Sequence, residues 1–137
     1  MEVDLRKIGG VGEGTTSNTA AFKLAVTMIA AAGGGTLKID AAVHNIFLTG
    51  PFNCTSNMVL RVGANVTVLG STNLTEWPLM PPMPSYGQGR DHPGPRRVSL
   101  VHGFNLSNLT LTGAGTIDGQ GQFWWDRVDS HAEKYTR

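Results

Sequence analysis

One cysteine, Cys54, stands among the 137 residues. It cannot close a disulfide within the chain, which excludes a small cross-linked scaffold. Alone it fits a reducing compartment, or a piece of a longer secreted chain whose partner cysteine lies elsewhere. Charge is scarce too: 15% of residues are charged, and the formal net charge is +1. So weak a whole-chain field makes no case for nucleic acid or a membrane surface as a partner. No apolar run approaches the roughly 20 residues of a membrane span. The first residues, Met1 to Ile8, hold no signal-peptide core. Clustered carboxylates are missing as well. Asp4, Asp40, Asp91, Asp118, Asp126 and Asp129 are scattered, so a calcium-dependent lyase chemistry lacks its ligand set. His44 and His131 show no metal-ligand spacing. No metal and no cofactor are expected.

Glycine is plentiful, at 18 residues, and hydrophobic residues make up 40% of the chain. Such a chain buries a core and turns often. Its length is about that of one domain. Five Asn-x-Ser/Thr sequons begin at Asn53, Asn65, Asn73, Asn105 and Asn108. Asn and Thr are common in turns and strands, so chance supplies some of them. Five in so short a chain still favour a secreted glycoprotein.

Residues 99–126 show the organisation most clearly. Leu109 and Leu111 alternate with Thr110 and Thr112, a strand rhythm with one buried face. Gly113 and Gly115 interrupt it, and Thr116-Ile117-Asp118 forms a second short strand before Gly119-Gln-Gly121. Strands this short suit a solenoid, in which each pairs with its equivalent in the next coil. A weak internal repeat supports that reading: Ser56-Asn57-Met-Val-Leu60 resembles Ser107-Asn108-Leu-Thr-Leu111, and Gly-Ala follows each.

Earlier in the chain, Val3 to Ile8 reads as a strand and Gly9 to Gly14 as a turn. That turn lacks the Gly-Lys-Ser/Thr ending of a phosphate-binding loop. Ser17 or Asn18 can cap a helix running to about Ala32, with Phe22, Ala25, Val26 and Ile29 on one apolar face. Gly33-Gly-Gly35 stops it. This helix is expected to cap the first coil, hiding an open core and unpaired edges. Further strands are expected at Thr36–Ile39, Asn45–Leu48, Met58–Val62 and Val66–Leu69. Six of the seven prolines fall within residues 71–97, which read as one long loop between coils. The tail from Asp126 is polar and offers no second cap.

These residues resemble a known family. Gly10-Val-Gly-Glu-Gly14, Asn18-Thr-Ala-Ala-Phe22, Ala31-Ala-Gly-Gly-Gly-Thr36, Leu48-Thr-Gly-Pro-Phe-Asn53 and Gly113-Ala-Gly-Thr-Ile-Asp-Gly-Gln-Gly121, with Trp124-Trp125, look like the N-terminal part of a glycoside hydrolase family 28 polygalacturonase. Pro84-Ser-Tyr-Gly-Gln-Gly-Arg90 is most similar to the plant polygalacturonase-like branch. The resemblance implies an all-β fold, a right-handed parallel β-helix of the pectate lyase-like kind, with N-terminal coils and a capping α-helix. It implies metal-free, inverting hydrolysis of α-1,4-galacturonosyl bonds in pectin, in the cell wall. Pectic polysaccharide would be the partner. A monomer is implied for the full-length family, and association is expected for coils standing alone. The family's signatures, Asn-Thr-Asp, Gly-Asp-Asp, Gly-His-Gly and Arg-Ile-Lys, do not occur in these 137 residues. The chain therefore reads as one part of a single β-helix domain, residues 1–137, ending before the catalytic coils. No catalytic residue is assigned, and the chain alone is expected to be inactive. A non-catalytic pectin-binding remnant is the alternative.

Inverting hydrolysis needs an acid at the leaving oxygen and a carboxylate that activates water. Asp118 and Asp126 are the tempting pair. As a turn residue before Gly119 and a surface residue after Trp125, they are better explained locally. Arg90, His92, Arg96 and Arg97 form a basic cluster suited to galacturonate carboxylates, since Arg pairs with them in a two-bond fork. A solvated loop would carry the same charges for solubility. Trp124 and Trp125 suit either sugar stacking or packing on the flank of a coil.

Overall fold

The computed structural model describes residues 1–80 and 96–130. Among these described residues, eleven strands and two α-helices follow one another. They are β1 (Glu2–Asp4), α1 (Thr19–Ala31), β2 (Gly35–Ile39), β3 (Ile46–Thr49), β4 (Phe52–Asn53), β5 (Met58–Val62) and β6 (Thr67–Gly70). After them come β7 (Leu79–Met80), β8 (Arg96–Arg97), β9 (Val101–His102), β10 (Leu109–Thr112), β11 (Thr116–Asp118) and α2 (Gly121–Ser130).

The strands stack as coils of a right-handed parallel β-helix. One sheet, here sheet A, has the order β1-β2-β5-β10. Sheet B has the order β11-β6-β3, and sheet C pairs β4 with β9. Every pairing in these three sheets is parallel. The internal repeat lies in register, with Met58 opposite Leu109 and Leu60 opposite Leu111. Alternation fills the bore. Val3, Leu37 and Leu60 are buried at one level of sheet A, with Ile39 and Val62 beside them. Phe47 and Val68 face inward from sheet B, and Phe52 from sheet C.

Two expected elements differ in extent. The first strand stops at Asp4, and Leu5–Ile8 wind into a 3-10 turn. The Asp4 carboxylate accepts the Arg6 N–H at 3.0 Å, which turns the chain out of the sheet. The helix spans Thr19–Ala31, with Asn18 at its N-cap position. However, the buried Asn18 side chain does not cap it. The amide bonds Val11 N–H at 2.7 Å and the carbonyls of Val11 and Leu48, each at 3.0 Å. It fixes the glycine-rich turn to sheet B instead.

Helix α1 covers the first coils as expected, packing on β1, β2 and β4. Phe22 stacks on Phe52 with ring centroids 4.4 Å apart, and Ala25 and Ile29 complete the buried face. Truncating such a buried Phe costs about 3–5 kcal/mol in comparable cores.

The opposite end is open. Leu111 and Ile117, on the last coil, are 48% and 40% exposed. With Leu60, Val62 and Gly115 they line a recess of about 170 Å³. A second helix, not read from the sequence, follows here without acting as a cap. Gln120 takes a left-handed conformation (φ 53°), and α2 starts behind it. That helix lies toward the flank, where Trp124 meets Trp77, and leaves the apolar residues of the last coil uncovered.

The proline-rich stretch is also placed differently. It does not link two coils. In one coil, β3 leads through Gly50-Pro51 into β4. In the next, β6 leads through residues 71–100 into β9, which pairs with β4. The excursion thus replaces a two-residue corner within a single coil, between sheets B and C. β7 and β8 pair antiparallel across its neck, Leu79 opposite Arg97 and Met80 opposite Arg96.

Candidate functional site

The stem of the excursion carries a network of polar contacts. A 3-10 turn, Leu74–Glu76, opens it, and Asn73 caps that turn by accepting the Thr75 N–H at 3.1 Å. Trp77 follows, buried, with its indole N–H donated to the Ser71 carbonyl at 2.8 Å. A buried indole needs such a partner. Trp124 packs edge-on against the Trp77 ring, with centroids 5.2 Å apart. Arg97 Nη1 donates to the Trp77 carbonyl at 2.6 Å, closing the neck from the other strand.

Glu76 points back across the Gly50 corner to the start of α1. Its Oε1 accepts from Ser17 Oγ at 2.6 Å and from Thr19 Oγ1 at 2.9 Å. Burial pushes this carboxyl up, but hydrogen bonds from Ser17, Ser71 and Thr19, with the Lys23 charge, outweigh it. The group is held below its ordinary value. Gly50 makes room: a Cβ there would lie 2.9 Å from the Glu76 Cβ.

The basic cluster divides. Arg90 and His92 lie outside the described residues. Arg96 and Arg97 lie on β8, and exposed Arg97 is committed to the Trp77 carbonyl. Beside them, His102 Nδ1 lies 3.1 Å from Ser99 Oγ, and His102 is opposite Asn53 on sheet C.

Asp118 and Asp126 are engaged locally. Asp118 accepts the Gln120 N–H at 2.8 Å, and Asp126 accepts from Gln122 Nε2 at 2.8 Å. A turn acid and a helix-surface acid are what these bonds describe. Trp124 packs on the flank, while Trp125 is 61% exposed. His131 lies outside the described residues. Among the described residues no group of His, Cys, Asp and Glu is arranged to hold a metal, and no helix is long and apolar enough to cross a membrane.

The five sequon asparagines are all exposed. Asn53 is on β4 and Asn65 in the turn before β6. Asn105 precedes β10, and Asn108 donates to Asn57 Oδ1 at 3.1 Å. Sequence reasoning missed Glu76 and Trp77. Their signal was faint: an acid and a Trp just before the first proline of the loop.

Comparison with known proteins agrees with this architecture. The chain is 43% identical over 133 residues to a probable polygalacturonase of Vitis vinifera, a match covering 94% of this chain and 26% of that protein. It is 30% identical over 137 residues to an exopolygalacturonase of Zea mays, covering 96% and 28%. The chain thus spans about a quarter of the length of these curated relatives. The family 28 exopolygalacturonase of Yersinia enterocolitica superposes with a TM-score of 0.72 at 26% identity, over 87% of this chain and 21% of that one. A hyperthermoactive exopolygalacturonase from Thermotoga maritima shares the fold, with a TM-score of 0.72 at 23% identity over 100% and 34%. The model of glycosyl hydrolases family 28 matches residues 34–136, so the chain belongs to that family.

Proposed function

We propose that these residues are the N-terminal coils of a pectin-degrading glycoside hydrolase acting on α-1,4-galacturonosyl bonds. The single observation that carries this is the 43% identity to the grapevine probable polygalacturonase along 94% of the chain. In this reading, residues 1–137 are one part of a single β-helix domain, and the acid and base lie in coils that follow it. The chain's own contribution is structural. It caps one end with α1, sets the register of three sheets and holds the excursion beside sheet C. A secreted, cell-wall location and glycans on Asn53, Asn65, Asn73, Asn105 and Asn108 belong to the same proposal. Pectic polyanion is the proposed partner, with Arg90, His92, Arg96 and Arg97 as its contacts. The bond that fastens Arg97 to the stem supports a fixed place for one of those charges.

Reading the frame beyond Arg137 and assaying the encoded protein tests this. An Asn-Thr-Asp and a Gly-Asp-Asp signature, with reducing ends released from polygalacturonate, are expected. Oligogalacturonate binding that is absent at low salt, or unchanged by Arg96→Ala with Arg97→Ala, would remove the contact assignment. Such contacts are screened over about 10 Å at 0.1 M salt.

A further inference from the structure

We propose that Glu76 is an acid-released latch that fastens the stem of the excursion to the capping helix. Two parts of the chain reach its carboxylate. Ser17 and Thr19 come from the start of α1, and Ser71 from the exit of β6. Gly50, at the corner between β3 and β4, donates its N–H to Thr19 Oγ1 at 2.8 Å and leaves the space that Glu76 occupies. The bond from Ser17 to Glu76 spans 59 residues of sequence. It joins the excursion of one coil to the cap of an earlier one, across the coil between them.

Charge decides the strength of this fastening. Helix α1 has no acidic residue in its first turn, and Asn18 spends its side chain elsewhere. The N-terminal end of the helix dipole therefore has no local negative charge, and Glu76 supplies one from outside. Among the described residues, Lys23 of α1 is the charged group that acts on it, and it favours the ionised form. The other groups facing Glu76 are hydroxyls. They donate to a carboxylate, whose oxygens both accept. A protonated carboxyl keeps only part of that capacity and loses its attraction to the helix dipole and to Lys23.

The sign follows from the direction of the shift. A carboxyl held below its ordinary value stabilises the closed state fully above that ordinary value. The contribution is lost as pH falls through the lowered one. The stem is thus fastened at neutral and mildly acidic pH and freed only in stronger acid. Because Trp77 follows Glu76 directly and bonds Ser71, the latch also fixes the indole that meets Trp124. The proposal does not depend on the hydrolase reading.

Two-dimensional NMR of the 137-residue chain tests it, following the Trp77 Nε1–H resonance and the Glu76 carboxyl carbon together. The expected result is one shared midpoint, below the ordinary carboxylate range, with the amides of sheet A unmoved. Glu76→Gln should place the Trp77 resonance at its acid position already at pH 7, with no titration left. Ser17→Ala keeps the carboxylate and should raise the midpoint. It serves equally if Glu76→Gln does not fold. A Trp77 resonance that stays fixed while Glu76 titrates would overturn the latch. So would a midpoint unmoved by Ser17→Ala, or loss of the sheet A amides at the same pH.

Discussion

Asn108 sits directly over Asn57 at the same corner of successive coils, its Nδ2 donating to Asn57 Oδ1 at 3.1 Å. Both residues are left-handed, with φ 61° and 59°. The equivalent position one coil earlier is Gly34, at φ 142°. A corner that turns this way suits Gly or Asn and penalises other side chains by about 1–2 kcal/mol.

That corner gives a paired prediction. Asn57→Ala loses the bond from Asn108 and keeps a Cβ in the left-handed region, so it should destabilise the chain by about 1–2 kcal/mol. Asn57→Gly loses the same bond but relieves the backbone, and should cost clearly less. Urea titration of both variants checks the order. Equal losses would mean that the side-chain bond, not the backbone, dominates.

Cys54 offers a probe of local opening. It is buried, and burial pushes its thiol above the ordinary value, so little thiolate forms at neutral pH. Iodoacetamide should leave it unmodified in the folded chain at pH 7.5 and label it in 8 M urea. Mass spectrometry distinguishes the two. Fast labelling without denaturant would show that sheet C opens readily.

The open end should make the chain associate. Among the described residues β10 and β11 each have one partner strand and an unpaired outer edge, and Leu111 and Ile117 lie exposed between them. Edges of this kind template pairing with another chain. Light scattering after size exclusion should show a mass rising with concentration. Ile117→Lys should lower it, since a charge in that recess opposes burial. A monodisperse monomer at all concentrations would contradict this.

Much of the fold was legible from local pattern. Leu109–Thr112 alternates cleanly, Met58–Val62 is an apolar run broken by Arg61, and Ser-Asn marks the start of each. The cap was legible because Phe22, Ala25, Val26 and Ile29 form one stripe. β4 and β9 were not. They are two residues long, and their pairing is set by the stacking of coils, which no local periodicity reports. The same limit explains the excursion. Its prolines announce a loop, but which corner it replaces depends on Phe52 meeting Val101, some 49 positions apart in the register. Helix α2 was missed because Gly121 and a polar tail outweighed Phe123 and Trp124. Trp124 finds its partner in Trp77, far along the chain, and Phe123 packs edge-on against Trp124. Of the candidate site, the sequence showed the arginines. It did not show that Arg97 is held by a backbone carbonyl, nor that Glu76 reaches α1.

The central claim is that these coils are the structural N-terminal part of a pectin hydrolase, with the chemistry elsewhere. A chimera tests it most directly. This chain replaces the matching stretch of the grapevine probable polygalacturonase, and reducing-end release from polygalacturonate is measured beside the grapevine protein and the isolated chain. The account predicts hydrolysis by the chimera within about tenfold of the grapevine protein and none by the chain alone, since an acid–base pair contributes about 10²–10⁴-fold per member. Release by the chain alone, abolished by Asp118→Asn, would contradict it, as would a folded chimera that stays inert beside an active grapevine protein.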